Sequence, residues 1–270
     1  MTIQAPAKVN LALRILAKRA DGFHDIETLM VPISLADDLE IEVSAGTGIE
    51  MVCDQPDIPA GPGNLAWRAA EAFQRHTGLG FHTRLALRKR IPHGAGLGGG
   101  SSDAAATLKA LDRLNNTALG PLALEGIAAS IGSDVPFFIR AQPALCRGRG
   151  ELMQVVDGIE PAGVLLLKPP FPVPTGWAYQ AWTARRVVAG HRQFHGSVEL
   201  ANDLETPVFQ KYLLLPAIKA WLLEQNGVAA AMMSGSGSTL FAILRGDAGT
   251  LAERARERFG RNLWTAEARI

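Results

Sequence analysis

The residues best able to do chemistry crowd into one loop. Positions 92–102 read Pro92-His93-Gly94-Ala95-Gly96-Leu97-Gly98-Gly99-Gly100-Ser101-Ser102, and an alanine-rich stretch of helical pattern, Ala104 to Asn115, follows at once. Glycines have no Cβ, so backbone N–H groups can converge on an anion. A helix start adds unpaired N–H donors and the positive end of the helix dipole. Ser101 and Ser102 can cap that helix or bond phosphate oxygens. The chemistry this favours is phosphate binding. A flexible glycine linker is the weaker alternative, because linkers do not alternate with a residue such as Leu97 and run straight into a helix. Gly94-Ala95-Gly96-Leu97-Gly98-Gly99 formally satisfies G-x-G-x-x-G. The dinucleotide fingerprint needs a buried parallel strand before it, however, and Arg84 to Arg90 is too charged for one. The Gly-Lys-Ser/Thr ending of a Walker loop is absent, as are the His-Arg-Asp and Asp-Phe-Gly motifs of protein kinases.

Outside the loop, single residues stay ambiguous on their own. Asp134 sits in Gly132-Ser133-Asp134-Val135-Pro136, where a carboxylate can be aimed outward as a base or can serve an Asx-turn or helix cap. Lys8 falls on a strand marked by Val9, Leu11, Leu13 and Ile15; a lone strand lysine is usually solvated. Asn10 shares its strand face. Asn64 reads best as an N-cap. Gly235-Ser236-Gly237 is either a site wall or a turn, and Arg147 and Arg149 either meet a diphosphate or tip a solvated hairpin.

Three motifs in order remove much of that ambiguity. Pro92 to Ser102 resembles the P-x-x-x-G-L-G-S/G-S-S loop of the galactokinase, homoserine kinase, mevalonate kinase and phosphomevalonate kinase superfamily of small-molecule kinases. Pro6-Ala7-Lys8-Val9-Asn10-Leu11-Ala12-Leu13 opens the chain as in that superfamily, and Met233 to Ala242 resembles its third glycine motif. Asp21-Gly22-Phe23-His24-Asp25-Ile26-Glu27-Thr28 is similar to one branch, whose substrate is a cytidine-diphosphate-linked methylerythritol in the non-mevalonate route to isoprenoid precursors. Gly132 to Phe138, Gly148-Arg149-Gly150-Glu151 and Asn202-Asp203-Leu204-Glu205 resemble that branch too.

The resemblance implies ATP-dependent phosphorylation of the substrate's 2-hydroxyl, giving the 2-phosphate and ADP. It implies Asp134 as base, Lys8 as its electrostatic partner, and residues 92–102 around ATP. It implies that His24 reads the cytosine edge, that Phe23 and Tyr179 stack on the base, and that Asn10 and Thr175 lie near substrate. Phe23 stands where Tyr is common, which keeps a stacking face and loses a hydroxyl. Mg²⁺ is implied as the counter-ion of ATP, with no protein ligand assigned. The implied fold is α+β and two-lobed, as in these small-molecule kinases. An N-terminal ribosomal-protein-S5-like ATP-binding domain would span 1–155 and a C-terminal α/β sandwich domain 156–270, with the site expected in the cleft. Other superfamily members are disfavoured by the Asp21 to His24 segment, and a catalytically silent nucleotide binder by Lys8 and Asp134.

Elements must position these residues. Alternation predicts strands over 3–16, 26–34, 38–44, 81–90, 162–168, 228–233, 239–244 and 262–267, with Asp37-Asp38 separating the second and third. Helices are predicted over 64–77, 121–131, 175–186, 206–226 and 247–259, a hairpin over 143–157, and a polar loop with two histidines over 185–198. Strands and helices do not alternate strictly in the first half, which argues against a doubly wound fold.

Composition agrees. The 270 residues carry 27 Lys and Arg against 26 Asp and Glu, a net charge of +1, which disfavours nucleic-acid binding by bulk electrostatics. The basic face of 82–90 is the one feature that fits an RNA binder. Cys53 and Cys146 match no metal or disulfide framework. No apolar run is long enough for a membrane helix. The expectation is a cytoplasmic enzyme with a small-molecule substrate, no nucleic-acid or membrane partner, and a monomeric or weakly dimeric state.

Overall fold

The computed structural model describes residues 1–183 and 192–270. Two compact units are present: residues 1–7, 36–93 and 98–142 in the first, and residues 8–35, 94–97 and 143–270 in the second. They are discontinuous in sequence, unlike the single boundary expected near residue 155.

The chain opens with two long strands, β1 (Thr2–Lys18) and β2 (His24–Ser44), each contributing to both units. Then come β3 (Ile49–Cys53), α1 (Leu65–Thr77), β4 (His82–Arg88), α2 (Gly99–Leu114), α3 (Gly120–Ala129) and α4 (Val135–Arg140) in the first unit. There β3 runs parallel to β4, with Met51 opposite Leu85, and β4 is antiparallel to the second half of β2, with Glu42 opposite Arg84. Thr83, Leu85 and Leu87 point into the core, while Arg84 and Arg88 are exposed on the other face. That basic face is not left open. Arg84 pairs with Glu42, Arg88 with Glu40, Arg90 with Asp38, and His82 lies 3.6 Å from Glu50.

The predicted break at Asp37-Asp38 does not occur, and residues 24–44 form one strand. Asp37 is fully buried and accepts hydrogen bonds from the N–H groups of Arg90 (2.6 Å) and Ile91 (2.8 Å). A polar pair that reads as a turn is here an internal anchor. Helix α1 starts and stops as predicted: Asn64 Oδ1 accepts from Ala66 N at 2.9 Å, and Gly78, at φ +68°, ends the helix in the left-handed region. Ala66, Ala69, Ala70 and Phe73 of α1 face α2, which is itself buried along Ala104, Ala105, Leu108 and Leu111. Small side chains let these helices approach closely and hold the helix behind the glycine loop in place.

The second unit contains β5 (Ala144–Gly148), β6 (Leu152–Val155), β7 (Gly163–Lys168), α5 (Thr175–Ala181), β8 (Gln193–His195), β9 (Val198–Asn202), α6 (Glu205–Lys211), α7 (Leu214–Leu223), β10 (Val228–Met233), β11 (Leu240–Leu244), α8 (Leu251–Phe259) and β12 (Trp264–Arg269). The first half of β2 pairs antiparallel with β5, and β5 with β6. β1 pairs parallel with β9 through Ala12 and Ala201, and β9 returns to β8. A separate antiparallel sheet has the order β10-β11-β7-β12. Its inner strand β7 carries the unbroken apolar run Val164–Leu167, fully buried, as a strand covered on both faces requires.

Two helices depart from expectation. The helix predicted over 206–226 is split into α6 and α7, because Pro216 lacks the N–H that would bond the carbonyl of Tyr212. The helix predicted over 175–186 ends at Ala181, where Trp182 turns to extended backbone; residues 184–186 lie outside the described residues. Of the predicted 185–198 loop, residues 185–191 lie outside the described residues; 193–195 and 198–202 form the β8–β9 hairpin. No helix among the described residues is long and apolar enough to cross a membrane.

Candidate active site

The glycine loop has the backbone that phosphate binding needs. Gly94, Gly96 and Gly98 adopt φ of +62°, +76° and +74°, while Ala95 and Leu97 between them are buried and do not share that conformation. Positive φ at every second residue is open to glycine and lets the backbone fold closely around an anion. Gly96 has a second constraint: a Cβ there would lie 2.2 Å from the carbonyl oxygen of Ser234. α2 begins at Gly99 with Gly98 as N-cap, so no side chain caps its first donors. Of the two alternatives for Ser101 and Ser102, capping therefore does not occur; both lie inside the first turn. Ser102 Oγ is buried and has no hydrogen-bond partner among the described residues. Uncapped donors and an orphaned hydroxyl at a helix start suit the terminal phosphates of a nucleotide. Pro92 and His93 enter the loop, and Gly100 packs near Leu65.

Lys8 and Asn10 stand on one face of β1, as the strand period requires. Both are buried. Lys8 Nζ donates to Asn10 Oδ1 at 2.6 Å and to the Gly96 carbonyl at 2.9 Å. Asn10 Nδ2 donates to Thr28 Oγ1 at 2.8 Å, and the Thr28 hydroxyl donates in turn to the Ala12 carbonyl at 2.6 Å. The ammonium is therefore fixed against the glycine loop by a relay of oriented dipoles. Gly235 closes on the same spot: a Cβ there would lie 3.3 Å from Gly96 O and 3.4 Å from Lys8 Nζ. The third glycine motif thus forms a wall beside Lys8. It is braced by Asn202, whose Nδ2 donates to the carbonyls of Met233 (2.7 Å) and Gly235 (2.8 Å). In the same motif Asp203 accepts from Ile15 N and Glu205 from Met233 N. These acidic residues hold backbone in place.

Asp134 lies in the first unit, at the N-cap position of α4. Its side chain makes no cap hydrogen bond, so the capping alternative loses its support. Pro136 in the first turn starts the helix instead.

His24 is 7% exposed and begins β2. Tyr179 of α5 lies against it with ring centroids 5.5 Å apart, and Trp182 meets it edge-on at 5.9 Å. Burial, with Lys18 nearby, lowers the His24 pKa below its usual value, so the imidazole is neutral at pH 7 and offers one donor and one acceptor. Phe23 is half exposed, with the Arg149 guanidinium 5.0 Å above its ring. Thr175 Oγ1 lies 2.8 Å from Ser236 Oγ, which ties the start of α5 to the third glycine motif.

Two features escape sequence reasoning. Trp182 is one, since its place beside His24 arises only through the fold. The other is a buried charge cluster: Lys89 Nζ bonds Asp37 and, at 2.7 Å, Asp103 Oδ2. A signal for Lys89 does exist, because the alternation that turns Leu85 and Leu87 inward turns Lys89 inward too. Among the described residues no group of three or more His, Cys, Asp or Glu is placed to hold a metal ion.

The sequence matches the model of the GHMP kinases N terminal domain over residues 64–142 and that of the GHMP kinases C terminal domain over 191–261. A 4-diphosphocytidyl-2-C-methyl-D-erythritol kinase from Methylacidiphilum infernorum is 45% identical over 88% of this chain and 84% of its own length. One from Geobacter sulfurreducens is 39% identical over 99% of this chain and 98% of its own. A crystal structure of 4-(cytidine 5'-diphospho)-2C-methyl-D-erythritol kinase superposes with a TM-score of 0.83 at 34% identity, covering 100% of this chain and 98% of the other. The homoserine kinase of Cytophaga hutchinsonii shares the fold at 17% identity, with a TM-score of 0.74 over 100% of this chain and 93% of that one.

Proposed function

Because the chain belongs to the 4-diphosphocytidyl-2-C-methyl-D-erythritol kinases of the GHMP family, we propose that it transfers the terminal phosphoryl group of ATP to the 2-hydroxyl of 4-diphosphocytidyl-2-C-methyl-D-erythritol. The products are the 2-phosphate and ADP. The observation that carries the choice of substrate is the buried, neutral His24 between Tyr179 and Trp182. A neutral imidazole can donate to and accept from the edge of a cytosine, and the adjoining rings offer flat apolar surface for its face.

Phosphoryl transfer needs positioning, charge stabilisation and a group to take the hydroxyl proton. The N–H groups of the 94–98 loop and the start of α2 hold the triphosphate. The carboxylate of Asp134 accepts the proton of the 2-hydroxyl as its oxygen bonds the terminal phosphorus and the bond to the ADP oxygen breaks. The Lys8 ammonium, oriented by Asn10 and Gly96, favours the negative charge of the transferring group. No side chain of this chain is assigned to Mg²⁺; bound with the nucleotide, the ion would supply neutralisation of phosphate charge.

Incubation with Mg-ATP and the cytidine compound, homoserine or mevalonate, following ADP release, tests the reading. ADP formed with the cytidine compound alone is the expected result. Release with homoserine or mevalonate, or with none of the three, overturns it.

A further inference from the structure

Lys89, Asp37 and Asp103 are buried together in the first unit, with side-chain exposures of 6%, 0% and 2%. Phosphoryl transfer as described above does not use them. Their connections are specific. Asp37 Oδ1 accepts from the N–H groups of Arg90 and Ile91, the two residues before Pro92, and its Oδ2 bonds Lys89. Lys89 reaches on to Asp103 in the opening turns of α2 and lies against the first helical residue; a Cβ on Gly99 would stand 3.3 Å from Lys89 Nζ. The entry and the exit of the glycine loop are thereby tied to one ammonium.

We propose that Lys89, Asp37 and Asp103 form a positioning cluster that pins both ends of the phosphate loop and sets the electrical potential its helix start presents to a nucleotide. This rests on the loop holding ATP, as proposed above.

The cluster has two carboxyls for one ammonium. Asp103 Oδ1 is buried without a hydrogen-bond partner among the described residues, an arrangement that disfavours a full carboxylate charge on that group. Burial pushes the Asp103 carboxyl up to about 7, against the downward pull of Lys89. Burial alone would lower the Lys89 pKa, but the Asp103 and Asp37 carboxylates outweigh it and raise it. The charged or titratable groups facing Asp103 are Lys89 at the end of β4, Asp37 of β2 and Cys53 at the end of β3. With Asp103 protonated the cluster is neutral. With Asp103 ionised it carries one negative charge under the helix start, which opposes the phosphates of ATP. Affinity for ATP should then fall as pH rises through neutrality.

The test compares the wild-type chain with Asp103→Asn and Lys89→Met from about pH 6 to about pH 8, a range spanning the expected titration. ATP dissociation constants come from calorimetry and KM values from ADP release. The terminal phosphate of ATP titrates in the same range, so each wild-type value is read as a ratio to Asp103→Asn. The ATP ratio is expected to rise about two- to fivefold across the range, the size of a single charge acting at a helix start. The corresponding KM ratio for the cytidine substrate should stay flat. Lys89→Met should bind ATP more weakly at every pH. A flat ATP ratio overturns the proposal, and so does a lower melting temperature in both variants with unchanged ATP affinity. If Lys89→Met does not fold, Asp103→Asn, which keeps the shape and removes the charge, decides alone. Failure of the functional reading looks different: pH-dependent ATP binding without turnover of the cytidine compound leaves the cluster standing, whereas absence of ATP binding removes both.

Discussion

Lys8 and Lys89 are both buried lysines beside the glycine loop, and their surroundings differ in kind. Lys89 is held by two carboxylates that meet its charge within the cluster. Lys8 donates to an amide oxygen and a backbone carbonyl, and those bonds fix the direction of its ammonium against the glycine loop. Charge held inside a cluster braces the loop and reaches a nucleotide only through the net charge of the cluster. Bonds to amide and carbonyl oxygens orient an ammonium, and an oriented charge is what a preorganised site needs. Residue type and burial are the same in the two cases; the oxygen that accepts the bond separates them.

Substitution puts the distinction at risk in order of size. Lys8→Ala and Asp134→Ala should each lower kcat about 10²- to 10⁴-fold, the range for lost acid–base or electrostatic groups. Melting temperature should change little, and near-normal turnover of either purified variant would erase the contrast. Lys89→Met should do the reverse at the level of folding. It strands two buried carboxyls and should cost about 3–5 kcal/mol in denaturant unfolding; a loss below about 1 kcal/mol would mean that the cluster bears little of the fold. His24→Ala should raise KM for the cytidine compound about tenfold, as loss of a well-placed buried hydrogen bond does, and leave KM for ATP within about twofold. Equal shifts in both would refute selective base reading.

The smallest effect concerns acid. The His24 pKa is lowered in the folded chain by burial and then by Lys18. The unfolded chain therefore takes up the proton first on acidification. The contribution of His24 to stability is complete above about pH 6.5 and is lost as pH falls below it. His24→Gln should flatten that part of the melting-temperature profile; an unchanged slope would show that His24 does not titrate there.

How much of this was legible beforehand depends on how local the signal is. The Asn64 cap and the inward alternation of β4 are written in neighbouring residues and take the form expected, and the glycine loop is equally local, although Gly98 and not a serine stands at the cap of its helix. Asp37 was misread because a pair of aspartates is locally a turn signal. Its actual partners, Lys89, Arg90 and Ile91, lie more than fifty positions away. The alternation of β4 pointed Lys89 inward, but without knowing Asp37 and Asp103 a buried lysine has no evident means of support. Trp182 meets His24 only because α5 packs against the start of β2, a tertiary fact with no sequence period.

The outer face of β4 has a consequence for ionic strength. Arg84, Arg88 and Arg90 already hold Glu42, Glu40 and Asp38 across the strands. A polyanion settling on this face would displace those carboxylates, and the cations they then take up would offset the ones the polyanion releases. The entropy of counter-ion release that drives nucleic-acid association is largely withheld here. Any such binding would be weak and would show a shallow dependence on salt.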